Sequence, residues 1–552
     1  MSMVVYQVLP RLFGNRTRTR QYDGDKGTNG CGRFADFTPS VLKEIRELGV
    51  THVWYTGILE HATQTDYAAY GIQRDHPSVV KGKAGSPYAV KDYYDVDPDL
   101  ATSVNKRMEE FEQLIRRTHR AGLRAIMDFI PNHVARQYGS DACPQGVKDL
   151  GADDDRTVGF SPRNNFYYID AELTLDSYHE YPAKATGNDV FSSCPTHNDW
   201  YETVKLNYGV DVCGGRIGHF DPVPDTWVKM RDILRFWTAK GVDGFRCDMA
   251  EMVPVEFWHW VIPQIKELNR AVIFIAEVYN PVMYRSYLHD GHFDFLYDKV
   301  GLYDTLRNVV CGRASAQEIT GCWQQVDDIR NNMLYFLENH DEQRLASDFY
   351  AGDALRGKAP LLVSCLMGQN PVMIYFGQEL GERGMEAEGF SGRDGRTSIF
   401  DYGHVECIQR WLHDGKPDEQ ALTPVERDLR NFYRTVLRLC RDNAVVSQGS
   451  FYDLMYANPQ LTRQYVFLRA FGGNVILVAA NFDAQDVRMQ INIPAHAAQF
   501  LGMTQGQESV RGVDLLTGET QQLNFGADEK CEIVVKGSSG VALSFKISVK
   551  CC

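Results

Sequence analysis

Four short hydrophobic segments of this 552-residue chain end in charged or polar side chains that could carry out chemistry. The segments span residues 125–133, 244–248, 273–277 and 336–341. A buried run that ends in aspartate, glutamate, arginine or histidine is costly unless these groups meet and pair in one site. Carboxyl groups brought together in this way can divide the roles of nucleophile and general acid, so the four segment ends are candidate parts of one catalytic site.

A parallel barrel would bring the four segment ends together, because the C-terminal ends of all its strands converge on one face. Strand-like and helix-like segments alternate through the first two thirds of the chain, with glycines where the helices end. The predicted strands are residues 4–9, 51–55, 125–129, 244–247, 272–276, 293–296, 333–337 and 372–376. The pattern indicates a (β/α)₈ barrel of the TIM type, although the alternation alone also allows an open doubly wound sheet.

The same four segments, in this order, resemble the signature regions of the α-amylase family of glycoside hydrolases. The resemblance extends from about residue 6 to residue 379 and favours the barrel over the open sheet. It implies a retaining hydrolase that cleaves α-1,4-glucosidic bonds in malto-oligosaccharides or starch-derived glucans, with such a glucan as its binding partner.

The chain divides into four predicted parts. Residues 1–133 and 226–445 form the catalytic barrel, and residues 134–225 interrupt it with little periodicity. An excursion of that length after the third strand is a small inserted domain rather than a loop, and the family carries one at this place. Residues 446–552 show short alternating runs separated by polar turns, which predicts a C-terminal antiparallel β-sandwich.

Two carboxyl groups end consecutive predicted strands, Asp248 and Glu277. Neighbouring strands lie ~5 Å apart, and retaining glycosidases hold their two carboxyl groups ~5–5.5 Å apart. The resemblance implies that Asp248 is the nucleophile and Glu277 the acid/base. Arg246 lies two residues before Asp248, hence on the same strand face, where its guanidinium can keep the Asp248 carboxylate ionised and oriented.

The resemblance extends to further site residues. It implies that Asp341 is a third catalytic carboxylate and that His133 and His340 donate hydrogen bonds to sugar hydroxyls. It also implies that Tyr88 stacks under the sugar at the cleavage point, which suits the apolar face of a pyranose ring.

Three departures from the family pattern concern sugar contacts and calcium. Ser86 stands where the family usually has a histidine. Glu251 and Met252 replace a usual Lys-His pair, and Lys205 replaces an aspartate that often binds calcium. Asn132 is the one usual calcium ligand that remains. We therefore expect that no cofactor is required and that calcium is not favoured, so no metal site is assigned with confidence. The ammonium group of Lys205 could supply the positive charge that calcium would otherwise provide. Chelation is expected to leave activity and melting temperature nearly unchanged.

Bulk properties exclude several classes of function. The net charge of −14, from 58 basic and 72 acidic residues, argues against a nucleic-acid partner. The sequence predicts no membrane span. The N-terminal residues do not form a signal peptide, so we expect a cytoplasmic protein, or a periplasmic or secreted one if a signal peptide has been removed. Most of the 13 cysteines are expected to be small core residues, and Cys551 and Cys552 receive no role.

The leading prediction is hydrolysis of short α-1,4-gluco-oligosaccharides. A long insert at residues 56–87 favours short substrates, because Tyr67, Tyr70 and His76 could narrow the cleft. A transglycosylase or sugar isomerase would use the same catalytic residues and stays open as an alternative. A catalytically silent carbohydrate-binding protein is a second alternative, although such relatives usually lose one of the three carboxylates.

Overall fold

The structure, a computed structural model, describes residues 2–500, 509–524 and 530–547 and contains a closed barrel of eight parallel strands. Each strand pairs with its neighbours in chain order, and the last closes on the first. The strands are β1 (Val4–Val8), β2 (His52–Tyr55), β3 (Arg124–Phe129), β4 (Gly244–Cys247), β5 (Ile273–Ala276), β6 (Phe295–Tyr297), β7 (Met333–Phe336) and β8 (Val372–Tyr375). The predicted (β/α)₈ fold class is confirmed, and the open sheet is excluded.

Helices connect the strands and cover the outside of the barrel. The first shows why they form: Thr38 caps the backbone N–H of Val41, Pro39 opens the helix, and its buried face is apolar. The main barrel helices are Pro39–Glu47, Arg107–Arg120, Asp225–Ala239, Val255–Leu268, Tyr284–His289, Asp304–Val310, Glu318–Gln325, Lys358–Leu366 and Pro424–Asp442.

The register of β4 brings the candidate catalytic carboxyls to one level. Cys247, the last residue of β4, is paired with Ala276, the last residue of β5. Asp248 and Glu277 each follow directly, so both leave the barrel at the same height. On the other side of β4, Arg246 is paired with Asp128 of β3.

Two excursions rise above this face of the barrel. After β2 the strand Leu59–His61 pairs antiparallel with Val90–Val96 and forms a hairpin. After β3 an inserted segment carries four two-stranded pairings. They are His133–Ala135 with Thr203–Lys205, Tyr168–Ile169 with Ala183–Lys184, Leu173–Leu175 with Tyr178–Glu180, and Val210–Asp211 with Ile217–Gly218.

The C-terminal part is antiparallel, as predicted. A six-stranded sheet has the order Ser450–Asp453, Gln464–Phe471, Asn474–Asn481, Ser539–Lys546, Ser509–Asp514, Thr520–Asn524. A two-stranded ribbon, Val487–Ile491 with Cys531–Val535, completes it. The predicted division of the chain at residues 133, 225 and 445 stays a prediction. Cys551 and Cys552 lie outside the described residues.

Most of the described cysteines lie in or against the core. Within the described parts of the chain all cysteines are free; five are buried, four are half-buried and pack against the core, and two, Cys194 and Cys213, are exposed. Both exposed cysteines lie in the inserted segment, which has little core to hide them. Within the same residues, no helix has the length and apolar character needed to cross a bilayer.

Candidate active site

Arg246 lies at the centre of the carboxyl groups that the four segments bring together. It is fully buried, its Nη1 donates to Asp248 Oδ1 at 2.6 Å, and its Nη2 lies 2.7 Å from Glu277 Oε2. Because one guanidinium contacts both carboxyls through its two terminal nitrogens, these carboxyls face each other at close range. That arrangement suits the ~5–5.5 Å separation found in retaining glycosidases.

Glu277 is held by two further donors that the sequence did not reveal. The Tyr279 hydroxyl donates to Oε1 at 2.6 Å, and the backbone N–H of Met249 donates to Oε2 at 2.9 Å. Met249 has a positive φ of 42°, a strained value for a residue with a side chain, and this turn directs its N–H toward Glu277. A tyrosine two residues after the predicted acid was the available signal.

Asp128 forms the floor of the site. Its Oδ2 accepts from Trp54 Nε1 at 3.0 Å, and its Oδ1 lies 3.5 Å from Arg246 Nη1. Sequence reasoning placed Asp128 at a strand end without giving it a role. Tyr297 was missed as well, and its hydroxyl accepts from Arg246 Nε at 3.2 Å.

The other predicted residues meet at the same place. The Tyr88 hydroxyl lies 2.5 Å from His340 Nε2, and the two rings stack with centroids 5.1 Å apart. Asp341 Oδ2 is 3.1 Å from His340 Nε2. His133 Nε2 is 4.0 Å from Asp248 Oδ2 on the opposite side. The structure therefore brings together all seven residues predicted to act on or bind substrate.

Burial shifts the pKa values of the carboxyl and imidazole groups in this site. Burial raises the pKa of Asp248 well above its usual range, although the neighbouring Arg246 opposes the shift. Burial, followed by repulsion from Glu277, raises the pKa of Asp341 to about 7. Burial also lowers the pKa of His133 to about 3 and that of His340 well below its usual value, so both imidazoles are neutral at pH 7 and can bridge hydroxyls and carboxylates.

Lys205 is the residue that, by the resemblance drawn from the sequence, replaces a calcium-binding aspartate of the family. Its Nζ lies 2.5 Å from Asn132 Oδ1, 2.8 Å from Asp189 Oδ1 and 3.4 Å from the Met252 carbonyl oxygen. Calcium requires six to eight oxygen ligands, and here an ammonium group already contacts the available oxygens. The residues at this position therefore do not fit a calcium ion. Asp189 was not identified from the sequence.

A cavity of about 370 Å³ opens above the carboxyls. Three segments meet in its wall: the insert after β2, the inserted segment after β3 and the chain after β8. Lys81 Nζ, from the first, pairs with Glu202 Oε1 of the second at 2.9 Å and lies 5.7 Å from the centroid of the Phe400 ring of the third. Trp200, Phe390 and Ile399 complete its apolar lining.

The insert at residues 56–87 reaches this cavity through Lys81 and Ser86, and not through the aromatic residues named from the sequence. The Tyr67 hydroxyl contacts Asp99, Tyr70 is exposed, and His76 lies against Tyr178. These side chains are hydrogen-bonded or packed within the insert and its neighbours, so they do not narrow the cleft. A larger cavity of about 670 Å³, between the loop after β1 and residues 404–421, contains none of the predicted catalytic carboxyls.

The chain is similar to known amylases and related enzymes. The chain is 25% identical over 385 residues to α-amylase MalA of Haloarcula japonica, which covers 69% of this chain but only 44% of that relative. It is 22% identical to neopullulanase 2 of Thermoactinomyces vulgaris, over 89% of this chain and 71% of the relative. The fold matches a maltogenic α-amylase, AmyB, from Thermotoga neapolitana, with a TM-score of 0.64, 19% identity and 99% of both chains covered.

The family model described as "Alpha amylase, catalytic domain" matches residues 7–403, which is most of the chain. That range holds strands β2 to β8, the end of β1, the inserted segment and the carboxyl groups around Arg246. The chain is therefore a member of the α-amylase family of glycoside hydrolases.

Proposed function

We propose that this protein hydrolyses α-1,4-glucosidic bonds in short malto-oligosaccharides with retention of configuration. The observation that carries the proposal is the pairing of Asp248 and Glu277 across Arg246 at the base of a walled cavity. The cavity volume of about 370 Å³ lies within the usual ~300–1,000 Å³ range of ligand pockets and is compatible with a short bound substrate.

In the first step Asp248 attacks the anomeric carbon while Glu277 gives a proton to the leaving oxygen. The bond from carbon to the leaving oxygen breaks, and a bond from carbon to an Asp248 oxygen forms. In the second step Glu277 takes a proton from water, the water oxygen attacks the same carbon, and Asp248 is released.

The other residues support the cationic transition state. Asp341 lies beside His340 and faces the cavity, where its charge favours a positively charged sugar ring. Tyr88 offers its ring to the apolar face of the sugar. We propose that neutral His133, which lines the cavity, and neutral His340, whose Nε2 lies 2.5 Å from the Tyr88 hydroxyl, bind sugar hydroxyls, and that the Tyr279 hydroxyl keeps Glu277 in position.

Substrate length tests the proposal directly. We expect kcat/KM to reach its maximum on short oligosaccharides between maltotriose and maltoheptaose and to gain nothing on amylose. In Lys81→Ala, which removes the ion pair to Glu202 and opens the wall, activity on amylose relative to maltotriose should rise several-fold. Lys83→Ala, which removes an ammonium 3.4 Å from Asp23 away from the wall, is the matched control.

A steep rise in wild-type efficiency up to the polymer would show an open, endo-acting cleft instead. Product chromatography in the same experiment separates hydrolysis from transfer or isomerisation, because a transferase yields products longer than the substrate and an isomerase yields no shorter ones.

The acid side of the pH–rate profile is a second test. Asp248 must be ionised to attack, and its pKa lies above the ordinary value of ~3.9. Activity should therefore be complete above the raised pKa and lost as pH falls through it, with an apparent pKa of kcat/KM clearly above the ordinary aspartate value. This apparent value belongs to the coupled carboxyl group, which includes Asp341. A midpoint near pH 4 would contradict the expected shift.

We also propose that Lys205 serves in place of calcium at the position described above. Lys205→Met should lower the free energy of unfolding by ~2–3 kcal/mol. This is less than the usual cost of removing one partner of a fully buried ion pair, because Asp189 is partly exposed. Lys205→Asp should create a calcium response at this position, measured as a rise in Tm with added CaCl₂ that exceeds the rise in the wild type. Equal stability of wild type and Lys205→Met in urea denaturation would contradict the role.

A further inference from the structure

A second group of carboxyls lies outside the cavity, where the hairpin after β2 meets the start of the inserted segment. We call Glu60, Asp92, Asp95 and Asp141 the acidic cluster. One carboxylate oxygen each from Glu60, Asp95 and Asp141 lies within 4.8 Å of the other two. Asp92 is the strand partner of Glu60 in the hairpin.

Glu60 is buried without a partner. Glu60 is only 1% exposed, and neither of its carboxylate oxygens has a hydrogen-bond donor among the described residues. A buried carboxylate without a donor or counter-charge is strongly destabilising. Glu60 must therefore be compensated either by a proton or by a bound cation.

The neighbouring donors and cations are already engaged. Asp92 Oδ2 accepts the backbone N–H groups of Asp141 and Ala142, each at 2.9 Å. Arg107 binds Asp95 through Nε at 2.8 Å and Nη2 at 2.5 Å. Four carboxyl groups thus share one guanidinium, and the cluster keeps an excess of negative charge.

The nearby ammonium does not correct this excess. Lys91 lies on the same strand as Asp92, but its Nζ is 3.1 Å from Asp75 Oδ2 and is committed to that ion pair. The charge balance of the cluster therefore calls for a cation that the chain does not supply.

We propose that the acidic cluster binds one divalent cation of the hard, oxygen-preferring class, Ca²⁺ above all, through Glu60, Asp95 and Asp141. All the donors are carboxylate oxygens, which select Ca²⁺, Mg²⁺ or Mn²⁺ over metals that prefer nitrogen or sulfur. Oxygens up to 4.8 Å apart can share a Ca²⁺ ion, whose bonds are ~2.3–2.6 Å long, more easily than Mg²⁺, which needs ~2.0–2.1 Å. The ion ties the first residues of the inserted segment to the hairpin whose second strand follows Tyr88.

This cation position is separate from the one that Lys205 occupies, and it changes one expectation drawn from the sequence. Chelation should now lower the melting temperature, while kcat measured well below that temperature should stay unchanged, because the cluster does not line the cavity. The proposal does not depend on which glucan the protein cleaves.

The test uses the full-length protein, stripped of metal with EDTA and dialysed. Titration calorimetry with CaCl₂ and separately with MgCl₂, together with scanning calorimetry, is the measurement. We expect one calcium site per chain, weaker magnesium binding, and a Tm increase on the order of a few degrees with saturating CaCl₂.

Glu60→Gln keeps the shape of the side chain and removes its charge. It should abolish the calcium response without lowering the Tm of the stripped protein. Asp141→Asn, at a more exposed residue that is easier to substitute, should weaken calcium binding at least ~10-fold. Glu109→Gln, on the exposed side of the helix that carries Arg107, should respond like the wild type.

A proton is the competing occupant, since burial and then repulsion from the neighbouring carboxylates raise the pKa of Glu60 to about 9. A wild-type protein without heat of binding and without a Tm change would show that a shared proton alone compensates Glu60, and it would overturn the proposal. Unchanged calcium binding in both Glu60→Gln and Asp141→Asn would overturn it as well, because the ion would then bind elsewhere.

Discussion

Asp248→Asn is expected to lower kcat by ~10⁴-fold or more while leaving the fold intact. The amide keeps the size of the carboxyl and can still accept the hydrogen bond from Arg246, which is 2.6 Å in the wild type. It cannot form a stable ester with the anomeric carbon, so the first step of the proposed reaction is lost. Turnover of maltotriose and circular dichroism spectra of the two proteins give the comparison.

The stability of this variant carries further information. Burial raises the pKa of Asp248, which means that the folded protein holds this carboxylate at a cost. The neutral amide avoids that cost, so the Tm of Asp248→Asn should be equal to or above that of the wild type. Asp232→Asn, on the partly exposed side of helix Asp225–Ala239, is the control and should change neither Tm nor kcat.

A fluorinated glycosyl trap identifies the nucleophile directly. Mass spectrometry of the labelled peptide should place the sugar on Asp248. In addition, Asp248→Gly with added azide should give the β-glycosyl azide. Azide then takes the place of the missing carboxylate, and its single displacement at the anomeric carbon inverts the α configuration. A label on Asp341 or Asp128 would refute the assignment.

The barrel and the main site residues were predictable because their signals are local in the sequence. Each strand is a short apolar run, and Asp248 and Glu277 each follow directly after one, so the geometry of a parallel barrel places these two carboxyls together. Strand ends differ by one or two residues from the prediction, as in β6, where residues 293–296 were expected and Phe295–Tyr297 is found.

One missed element had a usable signal. Helix Pro424–Asp442 was not predicted, yet Thr423 and Glu426 form a capping box at its start and Pro424 occupies its first position. Its buried side packs against helix Lys358–Leu366 and β1 on the outside of the barrel. Reading these three residues together would have identified it.

Other features could not be read from sequence because they depend on contacts between distant segments. Lys81 and Glu202 are separated by more than one hundred positions, and their pairing depends on how the insert after β2 meets the inserted segment. The same holds for Asp189 beside Lys205, since residue type alone does not show which carboxylate will reach a buried ammonium. Tertiary packing, rather than local propensity, decides these partners.

The structure also explains why the departures from the family pattern leave the catalytic group intact. Lys205, Asn132 and Met252 form their own contacts beside the site, with the ammonium as the cation. His133, next to Asn132, receives the Asn132 side-chain amide at Nδ1 over 3.1 Å and keeps its Nε2 toward Asp248. We propose that this ammonium provides the support that the resemblance assigns to calcium.

Glu277→Gln is expected to lower kcat by ~10²–10⁴-fold on malto-oligosaccharides, the usual contribution of a general acid. Its neighbours, the Tyr279 hydroxyl and the Met249 N–H, hold the wild-type carboxylate at 2.6 and 2.9 Å, so the amide keeps a similar position. The loss should depend on the leaving group. A sugar alcohol needs the proton from Glu277 to depart, whereas dinitrophenolate leaves without one.

Glycosylation of Asp248 by a dinitrophenyl α-glucoside should therefore stay nearly as fast as in the wild type. Hydrolysis of the ester should slow, because no base remains to activate water, and a burst of dinitrophenol should appear. Azide, which needs no base, should restore turnover and give the α-glycosyl azide, the anomer opposite to that from Asp248→Gly. Glu256→Gln, an exposed glutamate on the next helix, is the control for a surface substitution. Equal losses on both substrates, without azide rescue, would instead show that Glu277 orients Asp248 through Arg246 and transfers no proton.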